Sequence, residues 1–455
     1  MKLEALKILL FAWLSATSGL AAAAKQGPSI LLIIADDLGW KDVGYHGSEI
    51  RTPNLDRLAR EGVQLDHFYV HPTCSPTRAA LLTGRHPGHF GITSPLGLTD
   101  TRVIPKGTPT LATGLGVAGF STALVGKWHL GPRAADGPRQ YGFERTYGML
   151  HGAVDKYTHR DGAGTLTWHR DDQPLEEEGH ADDLIANEAI RLLEASRSDP
   201  RPFFLQLAFG HGHLPLQEEL ARIDSYRDTI PIASRRLYAA SVTHMDENIG
   251  RVLAALRASG RERATLVIFF SDNGGIAGPL AWRGGETSAW YGDKFPNRYE
   301  KLGDNHPLRG GKGEVYEGGI RVPAIVRWPD GLDGGRKVSQ PVQVNDVLPT
   351  LAALAGAPPP AGVDGIDFWP SLRRDAPLLS RTLIWETPKA FALRQGDWKL
   401  IHHGAALESG KDELYDLAAD PLETNDLARV ETARTTALKL ELVRRLPLVA
   451  RGRAK

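Results

Sequence analysis

The sequence predicts an α/β protein with a large, mainly parallel sheet sandwiched by helices, followed by a small C-terminal subdomain of antiparallel sheet plus helix. Three observations carry that reading. Short, nearly continuous apolar runs alternate with longer helical segments from Ser29 to Phe270, the pattern of strands buried on both faces and joined by crossover helices. Acidic, basic and histidine residues follow directly on the ends of those runs. After about Pro370 the texture changes to short strand-like pieces closed by one helix.

Taken in order, Ser29 to Ala35 is an apolar run ending in two aspartates, a buried parallel strand whose carboxyl end opens into a site. Thr52 to Gly62 reads as a helix with a threonine cap, proline at its start and glycine at its stop. Val63 to Tyr69 is the next strand. Cys74-Ser75-Pro76-Thr77-Arg78, running into Ala79-Ala80-Leu81-Leu82, is a helix start, because proline costs no hydrogen bond in a first turn. The alternation continues with the segment Thr110 to Ala118 before strand Phe120 to Val125 and helix Asp182 to Ala195 before strand Phe203 to Phe209. Helix Ser234 to Ala258 then precedes strand Ala264 to Phe270. The C-terminal strand pieces are Thr382 to Glu386, Phe391 to Arg394, Trp398 to His402 and Glu413 to Leu417, with a final helix over Glu431 to Arg445. The Pro- and Gly-rich stretch Gly356 to Gly365 is the expected linker. The division is therefore a leader at 1–24, a catalytic domain at 25–370 and a C-terminal α+β subdomain at 371–455.

Lys plus Arg and Asp plus Glu are equal at 54 each, so no overall field recruits nucleic acid or an anionic membrane, and any anion site is local. Lysines at 2 and 7, an apolar run from Ile8 to Leu14 and small residues ending in Ala21 to Ala24 form a secretory signal pattern. Its apolar core falls short of the roughly 20 residues a bilayer span needs, so no stable membrane insertion is expected. With one cysteine, no intramolecular disulfide is possible. The expectation is an exported protein, periplasmic or secreted in a bacterium.

In open sheets of this class ligands bind beyond the carboxyl ends of the strands. Asp36 and Asp37, Lys127 and His129, His211 and His213, and Asp272 and Asn273 all fall there. A lone cysteine is most often a buried core residue. Cys74, however, starts a helix, where exposed amides lower a thiol's pKa or attract an anion, and Arg78 lies one turn along. Asp36, Asp37, Asp272 and Asn273 supply only oxygen ligands, which favours calcium or magnesium over zinc. An isolated Asp-Asp pair would more simply cap a helix. The second acidic pair after another strand, with cations between, shifts the reading to metal. Lys127 and Lys312 stand among glycines that let backbone approach a ligand.

The run C-x-P-x-R at Cys74 to Arg78, followed by Leu82-Thr83-Gly84-Arg85, resembles the signature of the type I, formylglycine-dependent sulfatases. Five further blocks match in the family's order: Ile33 to Gly39, Gly126 to Gly131, His213 to Gln217, Ser271 to Gly274, and Pro307 to Lys312 running into Glu317 to Pro323. Within the family the chain looks closest to arylsulfatases and N-acetylgalactosamine-4-sulfatase-like enzymes. The resemblance implies an alkaline-phosphatase-like fold and oxidation of Cys74 to formylglycine by a formylglycine-generating maturation enzyme. It further implies Ca2+, with Mg2+ the alternative, held by Asp36, Asp37, Asp272, Asn273 and an oxygen of residue 74. By the same resemblance Arg78 and Lys127 stabilise the aldehyde hydrate and sulfate, and Lys312 holds sulfate and aids the leaving oxygen. His213 lies near the leaving group, and His129 is the base that releases sulfate after the hydrate has attacked sulfur.

The resulting expectation is a hydrolase of sulfate monoesters, acting on a sulfated carbohydrate rather than a small aromatic. A phosphonate or phosphodiester hydrolase of the same superfamily and an inactive sulfated-glycan binder are the alternatives; the intact set Cys74, Arg78, Lys127, His129, His213 and Lys312 argues against the second. Candidate sugar contacts are His151, Asp155, His159, Asn305 and His306, with Trp168 and Trp290 as stacking platforms. His211 would share a cleft face with His213 if the backbone is extended. His244-Met245-Asp246 in the long helix reads as packing and helix-face hydrogen bonding.

Overall fold

The computed structural model describes residues 27–281, 298–374 and 381–446; the expected leader and Trp290 lie outside them. From one edge, the main sheet orders its ten strands as Arg336–Val338, Val63–Leu65, Ala324–Arg327, Thr265–Ser271, Ser29–Ala35, Phe203–Ala208, Ser121–Gly126, Arg145–Met149, Trp168–Arg170 and Gln173–Pro174. The central strands pair in parallel, while Ala324–Arg327 and the last two strands run antiparallel to their neighbours. The apolar runs lack alternation because both faces are covered. Leu31, Ile33, Leu205, Leu207, Val267 and Phe269 point into one core with the helices Ala181–Ala195 and Ala233–Ala258. Ile30, Leu32, Ile34, Phe204, Leu266 and Ile268 point into the other, with the helices Cys74–Thr83 and Val347–Leu354. Each such side chain contributes about 1.5–3 kcal/mol over exposure.

Two local readings change. The stretch read as one strand over Val63 to Tyr69 is two: Val63–Leu65 in the main sheet and Phe68–Tyr69 beside Val342–Gln343. The polar pair Asp66-His67 turns the chain between them, with the Asp66 amide donating to the Val338 carbonyl and the His67 ring meeting the Ser339 carbonyl. Thr52 does not cap its helix with its side chain. Its hydroxyl accepts from the Gly44 amide and donates to Asp56, and the first helical amides are taken from outside. Asp246 of the long helix accepts from the Asn54 and Leu55 amides at 3.0 and 2.8 Å. This gives the His244-Met245-Asp246 segment a definite structural task at Asp246.

The C-terminal strands Thr382–Glu386, Ala390–Gln395, Trp398–Ala406 and Ser409–Asp416 form an antiparallel meander. One face, through Leu393, Leu400 and Leu414, receives Leu438 and Leu442 of the helix Thr432–Arg445. The other, through Trp385, Ile401 and Tyr415, packs on Val315, Tyr316 and Ile320. The sheet thereby backs the loop that carries Lys312. At this seam the Lys399 ammonium, fully buried, reaches Glu317 at 2.8 Å and Glu423 at 2.7 Å. Burial favours the neutral form of both carboxyls. Lys399, with Arg321 and Arg394, outweighs it at Glu317, which lies below its usual range, whereas Glu423 is raised. Removing the cation strands two buried carboxyls, so Lys399→Met is expected to cost about 3–5 kcal/mol of unfolding free energy, read from the urea midpoint.

Candidate active site

The helix Cys74–Thr83 is buried along its whole length, so its first residue sits deep under the sheet's carboxyl edge. Arg78, one turn in, is 1% exposed and cannot remain unpaired there. Its Nε and one terminal nitrogen donate to Asp272 Oδ2 at 3.1 and 2.7 Å, and the other donates to the Lys127 carbonyl at 2.8 Å. That fork joins the helix to two strand ends. Lys127 meets Asp36 Oδ2 at 2.5 Å, and Lys312 meets the Asp37 carboxylate at 2.6 Å. The structure therefore brings Cys74, Arg78, Lys127, Lys312 and the expected carboxylates into one buried constellation.

Its electrostatics follow from burial and pairing. Burial raises the Asp37 carboxyl to about 6 against the pull of Lys312, and it raises Asp272 as well. Burial would also raise Asp36, but Lys127, His213, Arg78 and Lys312 overcome it and hold that group well below the carboxylate range. Burial alone would lower Lys312; Asp37 holds it above its ordinary value. The expected activation of the thiol is not found, because burial pushes Cys74 up despite Lys127 and Lys312.

Among the oxygens of the expected ligand set, Asp36 Oδ1 and Asn273 Oδ1 are buried without a hydrogen-bond partner. Asn273 donates its amide nitrogen to Asp37 Oδ1 at 2.7 Å, which leaves its oxygen for another cation. Asp37 also stands at φ +54, a conformation only short polar residues adopt readily. Orphaned oxygens on an all-oxygen set fit a hard divalent ion. A ring nitrogen of His213 also lies within 4.8 Å of an oxygen of Asp36 and one of Asp37, so its imidazole borders the expected set Asp36, Asp37, Cys74, Asp272 and Asn273.

His129 stands at φ +59 and is 5% exposed. Its Nε2 lies 3.0 Å from the Leu96 carbonyl, which can only accept, so Nε2 carries the proton and Nδ1 is left bare and unpartnered. Burial holds the ring neutral. Ser75, next to Cys74, donates its hydroxyl to the His129 carbonyl at 2.9 Å and accepts from the Leu96 amide. Gly152 packs so close that a Cβ there would fall 2.3 Å from the imidazole. Sequence reasoning missed Ser75 and Gly152 because neither carries chemistry itself. His213 donates from Nδ1 to the Leu214 carbonyl at 2.6 Å and turns Nε2 to 3.9 Å from Asp37. Its side chain is 16% exposed and that of Lys312 17%, against 0–1% for Lys127 and Arg78, so the site opens between His213 and Lys312.

Several expected sugar contacts are buried elsewhere. His159 stacks on Trp168 at 4.7 Å and both are at most 1% exposed, so neither offers a face to a sugar. Asp155 spends its oxygens on the Tyr157 and Thr158 amides and on Gln217, and Asn305 bonds Gly275 and Gly310. His151, half-buried with its ring 5.7 Å from that of His129, and exposed His306 remain available. His211 is not in the cleft. Gly212 at φ +90 breaks the extended path, and His211 turns into a separate buried cluster.

Gly152→Ala is expected to displace the His129 ring and lower kcat about 100-fold or more with an unchanged far-UV spectrum. Adding Ca2+ to chelator-treated protein, at about 100 times its Kd, should raise unfolding free energy by about 2.7 kcal/mol. The gain should vanish in Asp36→Asn, as read by thermal melts.

Comparison with known proteins agrees with this geometry. A family model described as Sulfatase matches residues 28–357, and one described as N-sulphoglucosamine sulphohydrolase, C-terminal, matches 311–450. Arylsulfatase J of Mus musculus is 32% identical over 93% of this chain and 76% of its own length. N-acetylgalactosamine-6-sulfatase of the same organism is 33% identical over 79% and 69%. The crystal structure of Ps i-CgsB superposes with a TM-score of 0.79 at 30% identity, over 92% of each chain. With the buried cation and carboxylate constellation in place on this fold, the chain belongs to the sulfatase family and is a hydrolase of sulfate esters.

Proposed function

We propose that the protein is an exported sulfatase that cleaves sulfate monoesters on a sulfated carbohydrate through a formylglycine made from Cys74. The observation that carries this reading is the convergence of Cys74, Arg78 and Lys127 at the buried end of one helix, with His213 and Lys312 the partly exposed members of the set. Once converted, residue 74 supplies an aldehyde hydrate, whose hydroxyl is the nucleophile toward sulfur. A calcium or magnesium ion on Asp36, Asp37, Asp272, Asn273 and residue 74 would supply positive charge to a sulfate oxygen.

The side chains do the rest. Arg78, locked by Asp272, and the paired Lys127 present fixed positive charge in a low-dielectric site, where it stabilises an anion most. Three carboxylates balance three cations there, so a bound dication leaves the net positive charge that an anionic ester requires. Lys312 and His213 flank the mouth, the position from which they hold the departing oxygen. The bare Nδ1 of His129 accepts the proton whose removal releases sulfate. A carbohydrate leaving group is supported by relatives: one is named N-acetylgalactosamine-6-sulfatase, and Ps i-CgsB is also solved with k-i-k-neocarrahexaose. Export rests on the N-terminal signal pattern, and among the described residues no helix is long and apolar enough to cross a membrane.

Intact-mass analysis of the tryptic peptide containing residue 74, from the native host, should show the loss that accompanies thiol-to-aldehyde oxidation. Cys74→Ala should lower sulfate release from defined sulfated saccharides by on the order of 10⁴-fold or more. Undiminished turnover in that variant rejects the mechanism, and preferred turnover of an aryl phosphodiester over an aryl sulfate assigns the protein to phosphodiester hydrolysis instead.

A further inference from the structure

Behind the catalytic centre, four ligand-type residues from four separate segments meet in the interior. His180 caps the helix Ala181–Ala195, His211 follows the strand Phe203–Ala208, Glu218 lies in the next loop, and His244 sits mid-way along Ala233–Ala258. Each brings a ligand atom within 4.8 Å of the other three, and all four residues are buried. The three rings crowd together, with centroids 4.7 to 5.5 Å apart. We propose that His180, His211, Glu218 and His244 form a transition-metal site of zinc type, distinct from the all-oxygen site at Asp36 and Asp37.

The most telling member is His211. Its ring is fully buried, and neither nitrogen has a hydrogen-bond partner. The nearest carboxylate oxygens are Asp182 Oδ1, 3.5 Å from Nδ1, and Glu218 Oε1, 3.8 Å from Nε2. An imidazole buried without partners costs on the order of 1–3 kcal/mol, and a metal bond at Nε2 removes that cost. The outer partners follow the pattern of ligating histidines, which give their second nitrogen to a carboxylate or carbonyl. His244 Nε2 lies 2.9 Å from Asp183, His180 Nε2 lies 3.1 Å from the Gln217 carbonyl, and His211 Nδ1 faces Asp182. What remains is His244 Nδ1, His180 Nδ1, His211 Nε2 and the Glu218 carboxylate. Three imidazoles with one carboxylate suit zinc, whereas calcium takes oxygen alone.

The same atoms make a different set of contacts without metal. His244 Nδ1 lies 2.9 Å from Glu218 Oε2, and His180 Nδ1 accepts weakly from the Asp182 amide at 3.3 Å. Coordination replaces both contacts, and a proton on His244 Nδ1 leaves to solvent. Lys156, 3.0 Å from Asp182, neutralises that carboxylate, whereas Glu218, which also meets Arg222 Nε at 3.6 Å, is the carboxylate that reaches the His211 and His244 rings. The consequence reaches the active site through Gly212, whose Cβ position is only 2.3 Å from the Asp36 carbonyl. A metal fixed to His211 would pin the chain one residue before that contact and two before His213.

The test uses the full-length, calcium-saturated protein with Co2+ as a spectroscopic probe and Zn2+ as competitor. One equivalent of Co2+ should bind and give visible bands of a four-coordinate, nitrogen-rich site, and Zn2+ should erase them. The bands should be lost in His211→Ala and in Glu218→Gln. In Asp183→Asn, where all four ligands remain, Co2+ affinity should fall about 10- to 100-fold. Circular dichroism of each variant establishes folding, and Asp183→Asn carries the test should the ligand variants not fold. No cobalt uptake by the wild type, or bands unchanged in the folded variants, overturns the proposal. The readout is spectroscopic, so either result is independent of whether the enzyme turns over sulfate esters.

Discussion

A guanidinium with 1% exposure, forked onto Asp272 and the Lys127 carbonyl, is the constraint from which the active site is built. Arg78 cannot lose its proton and cannot reach water, so the geometry of its partners is imposed on them. Asp272 follows directly on the strand Thr265–Ser271 and Lys127 on Ser121–Gly126, with the strands Ser29–Ala35 and Phe203–Ala208 between them. One side chain thus spans the carboxyl edge of the central sheet and sets where Cys74, at the head of the same helix, must lie. Lys127 and Lys312 complete the arrangement by pairing with the two aspartates of the first strand's end. The charges in the centre are placed chiefly by one another, and the apolar sheet beneath keeps Arg78, Lys127 and the aspartates from relaxing toward solvent.

That economy explains what could be read from the chain alone. Strands buried on both faces announce themselves as unbroken apolar runs, and a sheet of this class places its chemistry at their carboxyl ends, so Asp36, Lys127, His129, His213 and Asp272 were legible from position. Elements fixed by distant partners were not. Thr52 has the composition of a cap, but Asp246, 190-odd residues away, holds the helix amides instead. His211 is two residues from His213, and only the positive φ of Gly212 decides that they face opposite ways. His159 and Trp168 have the chemistry of sugar contacts, but they satisfy each other inside the core. His180, Glu218 and His244 converge from segments whose spacing follows no ligand motif, because the crossover helices, not a local loop, bring them together.

The same burial divides the work between recognising sulfate and recognising what carries it. Arg78, Lys127 and Cys74 are at most 1% exposed, so they can contact only the small anionic end of a substrate. What carries the sulfate is left to residues nearer the solvent: Lys312 and His213 are partly exposed, and half-buried His151 has its ring 5.7 Å from that of His129. Such residues sit on loops: His306 in the segment leading to Lys312, and His151 just after the strand Arg145–Met149. A buried centre fixed by ion pairs is hard to vary without unfolding, while such loops tolerate change. A chain built on this plan keeps its buried reaction centre apart from its loops, and the C-terminal sheet, packed on Tyr316 and Ile320, braces the segment that follows Lys312.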